Sequence, residues 1–188
     1  SFKMILPIVA YGSAALRDNC KEIDKEFPDL EILIENMFET MYAASGVGLA
    51  APQINKNIRL FIVDTTPFKD EETPDHEICK KVFINPKITS ITGDAWSFNE
   101  GCLSIPEVRE EVKRLSEITV EYFDQNFKKV VENYDGLNAR VILHEYDHIE
   151  GILFVDKISP LRKRMIKSKL RDISNGNLNA NYLIRNFK

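Results

Sequence analysis

Between residues 30 and 41 the apolar positions recur at three- and four-residue spacing: Leu30, Leu33, Ile34, Met37, Phe38 and Met41. That period gathers them on one face of a helix opened by Pro28-Asp29 and ended near Ser45-Gly46. From Ile58 to Asp64 the pattern becomes a short run rich in Ile, Val and Phe, which predicts a strand. Thr65 to Lys80 is polar, holds two prolines and reads as a loop. Val82 to Ile91 is extended but interrupted by Asn85-Pro86, so an edge or bulged strand is expected there. Ile118, Val120 and Tyr122 alternate with Thr119, Glu121 and Phe123; a turn at Gln125-Asn126 and a return from Phe127 to Tyr134 complete a hairpin. Asp135-Gly136 then precedes a helix running to about Glu150, with Gly151 as its stop.

A last helix, over about 159–175, follows Ser159-Pro160, a polar cap with proline in the first turn. Its apolar stripe is Leu161, Met165, Ile166, Leu170 and Ile173, and its other faces carry Arg162, Lys163, Arg164, Lys167, Lys169 and Arg171. A tail, 176–188, remains without a pattern. The order of elements predicts an α+β fold: mostly antiparallel sheets around a central helix, with N-terminal and C-terminal helices. With no repeat, low-complexity tract or linker in view, 1–188 reads as a single domain.

Composition narrows the class. At 44% hydrophobic and 29% charged residues the chain reads as an ordinary soluble globular protein. Lys plus Arg number 25 against 29 Asp plus Glu, a net charge of -4, which provides no global drive toward DNA or an anionic membrane. No apolar run approaches the roughly 18–20 residues that span a bilayer, and the first residues lack a secretory stretch, so a cytoplasmic location is expected. The three cysteines fit a reducing compartment. Cys20 sits among charges and Cys79 in a polar loop, and both read as incidental thiols.

Chemistry concentrates in His144-Glu145-Tyr146-Asp147-His148. Residues four apart share a helix face, so His144 and His148 can both reach one metal ion; the plainer reading places both merely on a helix surface. Glu145 lies about 100° around the helix, where it can lean over a water on that metal. A catalytic metal takes three protein ligands and leaves a position for water. No histidine follows His148, and Glu150 is too close on the same helix to swing round. Upstream, Cys102 stands in Glu100-Gly101-Cys102-Leu103-Ser104-Ile105-Pro106, where a thiolate approaches from a neighbouring strand; the plainer reading of a lone cysteine is a small buried hydrophobe. A third segment, Gly46-Val47-Gly48-Leu49-Ala50-Ala51-Pro52-Gln53, lets backbone pass close to a ligand, and Gln53 can donate an amide N–H to a developing oxyanion.

Taken together, Gly46 to Gln53, Glu100 to Ser104 and Leu143 to His148 resemble, in order, the three motifs of the peptide deformylase family: Gly-x-Gly-x-Ala-Ala-x-Gln, Glu-Gly-Cys-Leu-Ser and Gln-His-Glu-x-Asp-His. Pro7-Ile8 with Leu16-Arg17, and Phe154 to Leu161, also resemble the family, so the likeness covers nearly the whole chain. Two positions depart from its pattern. Leu143 stands where the family commonly has Gln, which predicts altered packing near the site. Arg140 stands on a face where an apolar residue would line the substrate pocket.

The resemblance implies a metal-dependent hydrolase that removes the N-terminal formyl group from formyl-methionyl nascent proteins and releases formate. Cys102, His144 and His148 would hold one divalent metal ion, Fe2+ natively, with Zn2+, Ni2+ or Co2+ as substitutes. Glu145 would be the general base, and the Gln53 side chain and Leu103 N–H would hold the oxyanion. Gly46, Val47, Gly48 and Leu49 would close around the formyl group, with the Gly48 backbone pairing with the peptide. Val47, Leu137 and Val141 are candidates for the methionine pocket, each reading equally as core. Arg109 falls near the peptide exit or equally on the open surface. Asp147 would orient the histidines by pairing with Arg114. Because formylated chains emerge from ribosomes, the basic last helix suggests a ribosome contact, with a solvated face as the plainer alternative. Two other readings remain: a zinc endopeptidase on the same His-Glu-x-x-His helix, and a non-enzymatic module with four protein ligands and no open position.

Overall fold

A computed structural model describes residues 3–187. The predicted first helix is α1, Leu30–Ala43, and its periodic stripe supplies the buried Ile34, Met37 and Met41. It ends where Ser45 takes φ 56° and the Gly46 N–H returns to the Met41 carbonyl at 2.9 Å. This turn delivers the chain into β2, Gly48–Ala50, the edge of a five-stranded antiparallel sheet. The sheet continues through β3 (Leu60–Asp64), β4 (Lys80–Cys102), β5 (Ile105–Phe123) and β6 (Lys129–Asp135), each paired with its predecessor in sequence.

The segment expected as an edge or bulged strand is bulged but not an edge. It lies within β4, between β3 and β5, with a register shift between Ile84 and Lys87. Asn85 sits there at φ 48°, and its side chain exchanges two hydrogen bonds with the Ile23 backbone at 2.7 and 2.9 Å. The bulge absorbs Pro86, which has no N–H to offer a ladder. Beyond it β4 runs on to Cys102, opposite Ile105, so Leu103 and Ser104 form the whole connection between β4 and β5.

The central helix is α2, Gly136–Ile149, buried from Ala139 onward on most of its circumference. Ala139, Ile142, Leu143 and Ile149 pack with Phe61, Phe83 and Val120 of the sheet. Gly151, at φ 75°, reverses the chain beyond the helix, where a side chain would meet the Arg17 carbonyl. Helix α3, Pro160–Ser174, begins as its sequence predicts: the Arg162 N–H donates to the Ser159 hydroxyl at 3.2 Å. Its apolar stripe is covered only in part. Ile173 is buried and Ile166 and Leu170 half-buried, whereas Leu161 and Met165 are 62% and 61% exposed. Arg162 makes a bidentate pair with Glu110 at 2.7 and 2.8 Å, and Lys169 meets Glu107 at 2.9 Å. These pairs fix the helix on β5 with the first turn's apolar side chains outward.

The patternless tail is built into the fold. β7, Ile184–Arg185, pairs in parallel with β1, Ile8–Val9. Asn186 Nδ2 donates to the carbonyls of Tyr11, Ile173 and Ser174, and the Phe187 N–H to the Ser13 hydroxyl.

Candidate metal centre and cleft

One helical turn separates His144 from His148, and their rings face the same side of α2 with centroids 5.1 Å apart. Cys102, the last residue of β4, meets them there. Its sulfur is 3.4 Å from His148 Nε2, and one donor atom from each of the three residues lies within 4.8 Å of the others. Metal bonds of about 2.3 Å to sulfur and about 2.0 Å to nitrogen, at a tetrahedral angle, put those two atoms about 3.5 Å apart. Cys102 and His148 therefore have the spacing of two corners of a metal's tetrahedron, His144 lies within reach of a third, and the donors fit a divalent ion of borderline softness.

The supporting shell is ionic and buried. Glu100 lies two residues before Cys102, so the strand period turns both toward α2. Its Oε1 is 2.9 Å from His144 Nδ1, which leaves Nε2 as the nitrogen on the Cys102 side. Arg114 donates to both Glu100 oxygens at 2.8 and 3.0 Å and to Asp147 at 2.8 Å. Burial alone would raise the Glu100 carboxyl; the hydrogen bonds and charges of His144 and Arg114 outweigh it and hold it well below the usual carboxylate range. Phe154 stacks on the His144 ring at 6.0 Å. The expected Asp147–Arg114 pair is thus present, and Lys157 approaches the same Asp147 oxygen at 3.8 Å.

Arg140 proves to be part of this shell. It is 2% exposed, donates to Glu100 and to the Val112 carbonyl at 2.8 Å each and to the Trp96 carbonyl at 2.7 Å, and lies over the Trp96 ring at 4.4 Å. Its charge is spent on Glu100 while its flank borders the cleft. Leu143, the other departure, packs into the core between α2 and the sheet.

Glu145 is buried, and its Oε1 has no hydrogen-bond partner among the described residues. Burial pushes its carboxyl up to about 7, against the attraction of His144 and Arg114. A β-carbon on Gly48 would lie 2.5 Å from Glu145 Oε2, so glycine there lets β2 pass directly over the carboxylate. Gln53 is oriented by the Ala50 N–H, which donates to its Oε1 at 3.0 Å; its Nε2 donates to the Ser104 hydroxyl at 3.2 Å and faces Cys102 Sγ at 3.5 Å.

A cavity of about 750 Å³ opens over this centre. Gly46, Val47, Gly48, Gln53, Cys102, Leu103, Arg109, Val141, His144 and Glu145, all among the candidate site residues, line it. Two predicted lining residues do not. Leu49 alternates to the other face of β2 and is buried beneath α1 with Met37 and Met41. Leu137 borders a separate depression beside residues 72–77. Arg109 donates to the Asn99 carbonyl at 2.6 Å and fills the space a side chain at Gly101 would need. Sequence reasoning assigned no role to Glu100, although its two-residue spacing from Cys102 carried the signal. It also passed over Phe68 and Phe98, in edge contact at 6.4 Å, and the tail residues Asn179–Tyr182, all of which border the cavity.

Residues 5–164 match the family model for polypeptide deformylase. The chain is 57% identical over 188 residues to the peptide deformylase of Christiangramia forsetii, covering 97% of this chain and 96% of that one. It is 54% identical to that of Flavobacterium psychrophilum, covering 97% of each. Among solved structures, it is similar to a peptide deformylase from Legionella pneumophila, with TM-score 0.77 and 37% identity over 92% of this chain and 96% of that one. A peptide deformylase from Plasmodium falciparum gives TM-score 0.80 and 32% identity over 90% and 95%.

Proposed function

The chain belongs to the polypeptide deformylase family, metal-dependent enzymes that remove N-formyl groups from nascent proteins, and we propose that Cys102, His144, His148 and Glu145 carry that reaction here. The observation that supports the assignment is the three-donor cluster directly beside a buried, unpartnered carboxylate.

The thiolate of Cys102 and the two imidazoles would hold the metal, Fe2+ natively in this proposal, with Zn2+, Ni2+ or Co2+ as substitutes. When bound, such an ion polarises the formyl oxygen and acidifies water at the open position. Glu145, near neutrality and without a competing partner on Oε1, takes the attacking water's proton and delivers it to the departing amine. The Gln53 amide and the Leu103 N–H donate to the carbonyl oxygen as it gains charge. Side chains at Gly46 and Gly48 would collide with Leu103 and Glu145, so only backbone flanks the carboxylate on this side, where the smallest acyl group is assigned. The unpaired edge of β2 offers backbone groups to an extended peptide. The methionine side chain is assigned to the apolar part of the cavity at Val47, Val141, Phe68 and Phe98. Formate and a free-amine peptide leave.

The test is formate release from a formyl-methionyl peptide by metal-loaded enzyme under anaerobic, reducing conditions, with cleavage of internal peptide bonds measured in parallel. Internal cleavage without formate release would instead support the endopeptidase reading. The ribosome is the proposed docking partner, through Lys163, Lys167 and Arg171 exposed on α3. A cytoplasmic location is proposed with it; no helix of the described chain is long and apolar enough to cross a membrane.

A further inference from the structure

Leu103 and Ser104 are the entire turn between β4 and β5; Leu103 borders the cleft beside Cys102, and Ser104 is buried behind it. A two-residue turn leaves backbone carbonyls without ladder partners, and their satisfaction decides how firmly the turn is held. Two distant segments supply it, and a third holds the Ser104 side chain. The Tyr11 N–H donates to the Ser104 carbonyl at 2.8 Å, Gln53 donates to the Ser104 hydroxyl at 3.2 Å, and the Tyr182 hydroxyl donates to the Leu103 carbonyl at 2.7 Å. Tyr182 comes from the C-terminal tail, beyond the residues 5–164 matched by the family model.

The tail is built to hold that hydroxyl in place. Leu178, Ile184 and Phe187 pack into the apolar cluster containing Val9, Ile105 and Phe154, the last of which stacks on His144. Pairing with β1 fixes the chain two residues after Tyr182. Asn179, Ala180, Asn181 and Tyr182 then form part of the cleft wall. Burial raises the Tyr182 phenol, so it stays a neutral donor.

We infer that Tyr182 is a positioning residue for deformylation: by clamping the Leu103 carbonyl it fixes the turn that presents the Leu103 N–H to the substrate's carbonyl oxygen. The inference rests on the proposed role of Leu103. A donor aimed at charge that develops only during reaction acts on kcat, whereas packing alone acts on stability.

The test uses full-length, metal-loaded enzyme and Tyr182→Phe, which keeps the ring and removes the hydroxyl. The expected result is a kcat lower by about 3- to 10-fold, the factor that one neutral hydrogen bond carries. KM for a formyl-methionyl tripeptide should stay within about twofold and metal content unchanged, while the thermal midpoint falls by no more than the few degrees that one hydrogen bond carries. Exchange of the Tyr11 amide proton, which bonds to the same turn, should quicken in the variant by at least about 3-fold. An unchanged kcat, or a fall that tracks lost metal or a stability loss beyond that of one hydrogen bond, would overturn the inference. So would unaltered Tyr11 exchange, a readout that stands even if the wild-type enzyme released no formate and the proposed function failed.

Discussion

Glu100 reaches from β4 to His144 Nδ1 on α2 at 2.9 Å while both of its oxygens are held by Arg114. A carboxylate behind a ligand histidine fixes its ring and tautomer and strengthens it as a donor. Glu100→Gln should therefore lower metal affinity by about 10- to 100-fold, the range for loss of such a partner. Chelator competition on the purified variant measures it, and equal affinity would remove Glu100 from the metal's support.

Glu145→Gln separates proton transfer from metal binding. The amide keeps the shape and loses the base, so metal content should stay at wild-type level while kcat falls at least about 10²-fold. Metal analysis and formate release on the same sample decide the matter; near-normal turnover with full metal would deny Glu145 the role.

Gly48→Ala tests the close passage of β2 over Glu145. The added carbon would sit 2.5 Å from Oε2 and must push the carboxylate aside. A displacement near 1 Å at a reacting group costs about 10²-fold in rate. The kcat should fall by about that factor with metal content intact; an alanine variant of wild-type activity would show that Glu145 has room to move.

Arg140→Leu strips a buried cation from Glu100 and leaves the Val112 and Trp96 carbonyls without this donor. Because Arg114 remains on Glu100, a loss of about 3 kcal/mol is expected, the low end for breaking a buried pair. Urea unfolding of wild-type and variant protein gives the difference, and a change below about 0.5 kcal/mol, the size of an ordinary surface substitution, would contradict it.

Charge reversal at Lys163, Lys167 and Arg171 addresses the proposed ribosome contact. Co-sedimentation with ribosomes should weaken and lose part of its salt dependence, with activity on a free formyl-methionyl peptide unchanged. Binding identical to wild type at every salt concentration would confine α3 to a structural role.

The candidate metal cluster was legible in sequence because its chemistry imposes local spacing: four residues on a helix for His144 and His148, and a strand end for Cys102. Glu100 was equally within reach, two residues from Cys102 on one strand face. Leu49 was misplaced because Gly46 to Ala51 is small and apolar throughout and shows no alternation to tell one face of β2 from the other. Leu137 was misplaced for the opposite reason, since one helix presents several apolar faces and only the packing of α2 selects which meets the cleft. Arg140 looked like a pocket residue because its partner Glu100 lies 40 positions away. The tail shows no period because β1, Tyr11 and Ser13 hold it, not a pattern of its own.

The pairing of Ile8 with Ile184 joins nearly the whole length of the chain in one contact. Closing so large a loop is entropically unfavourable until the intervening structure has drawn its ends together, so this contact is among the last to form. The wall of the cleft contributed by Tyr182 is therefore completed late in folding, once β1 and β7 have met.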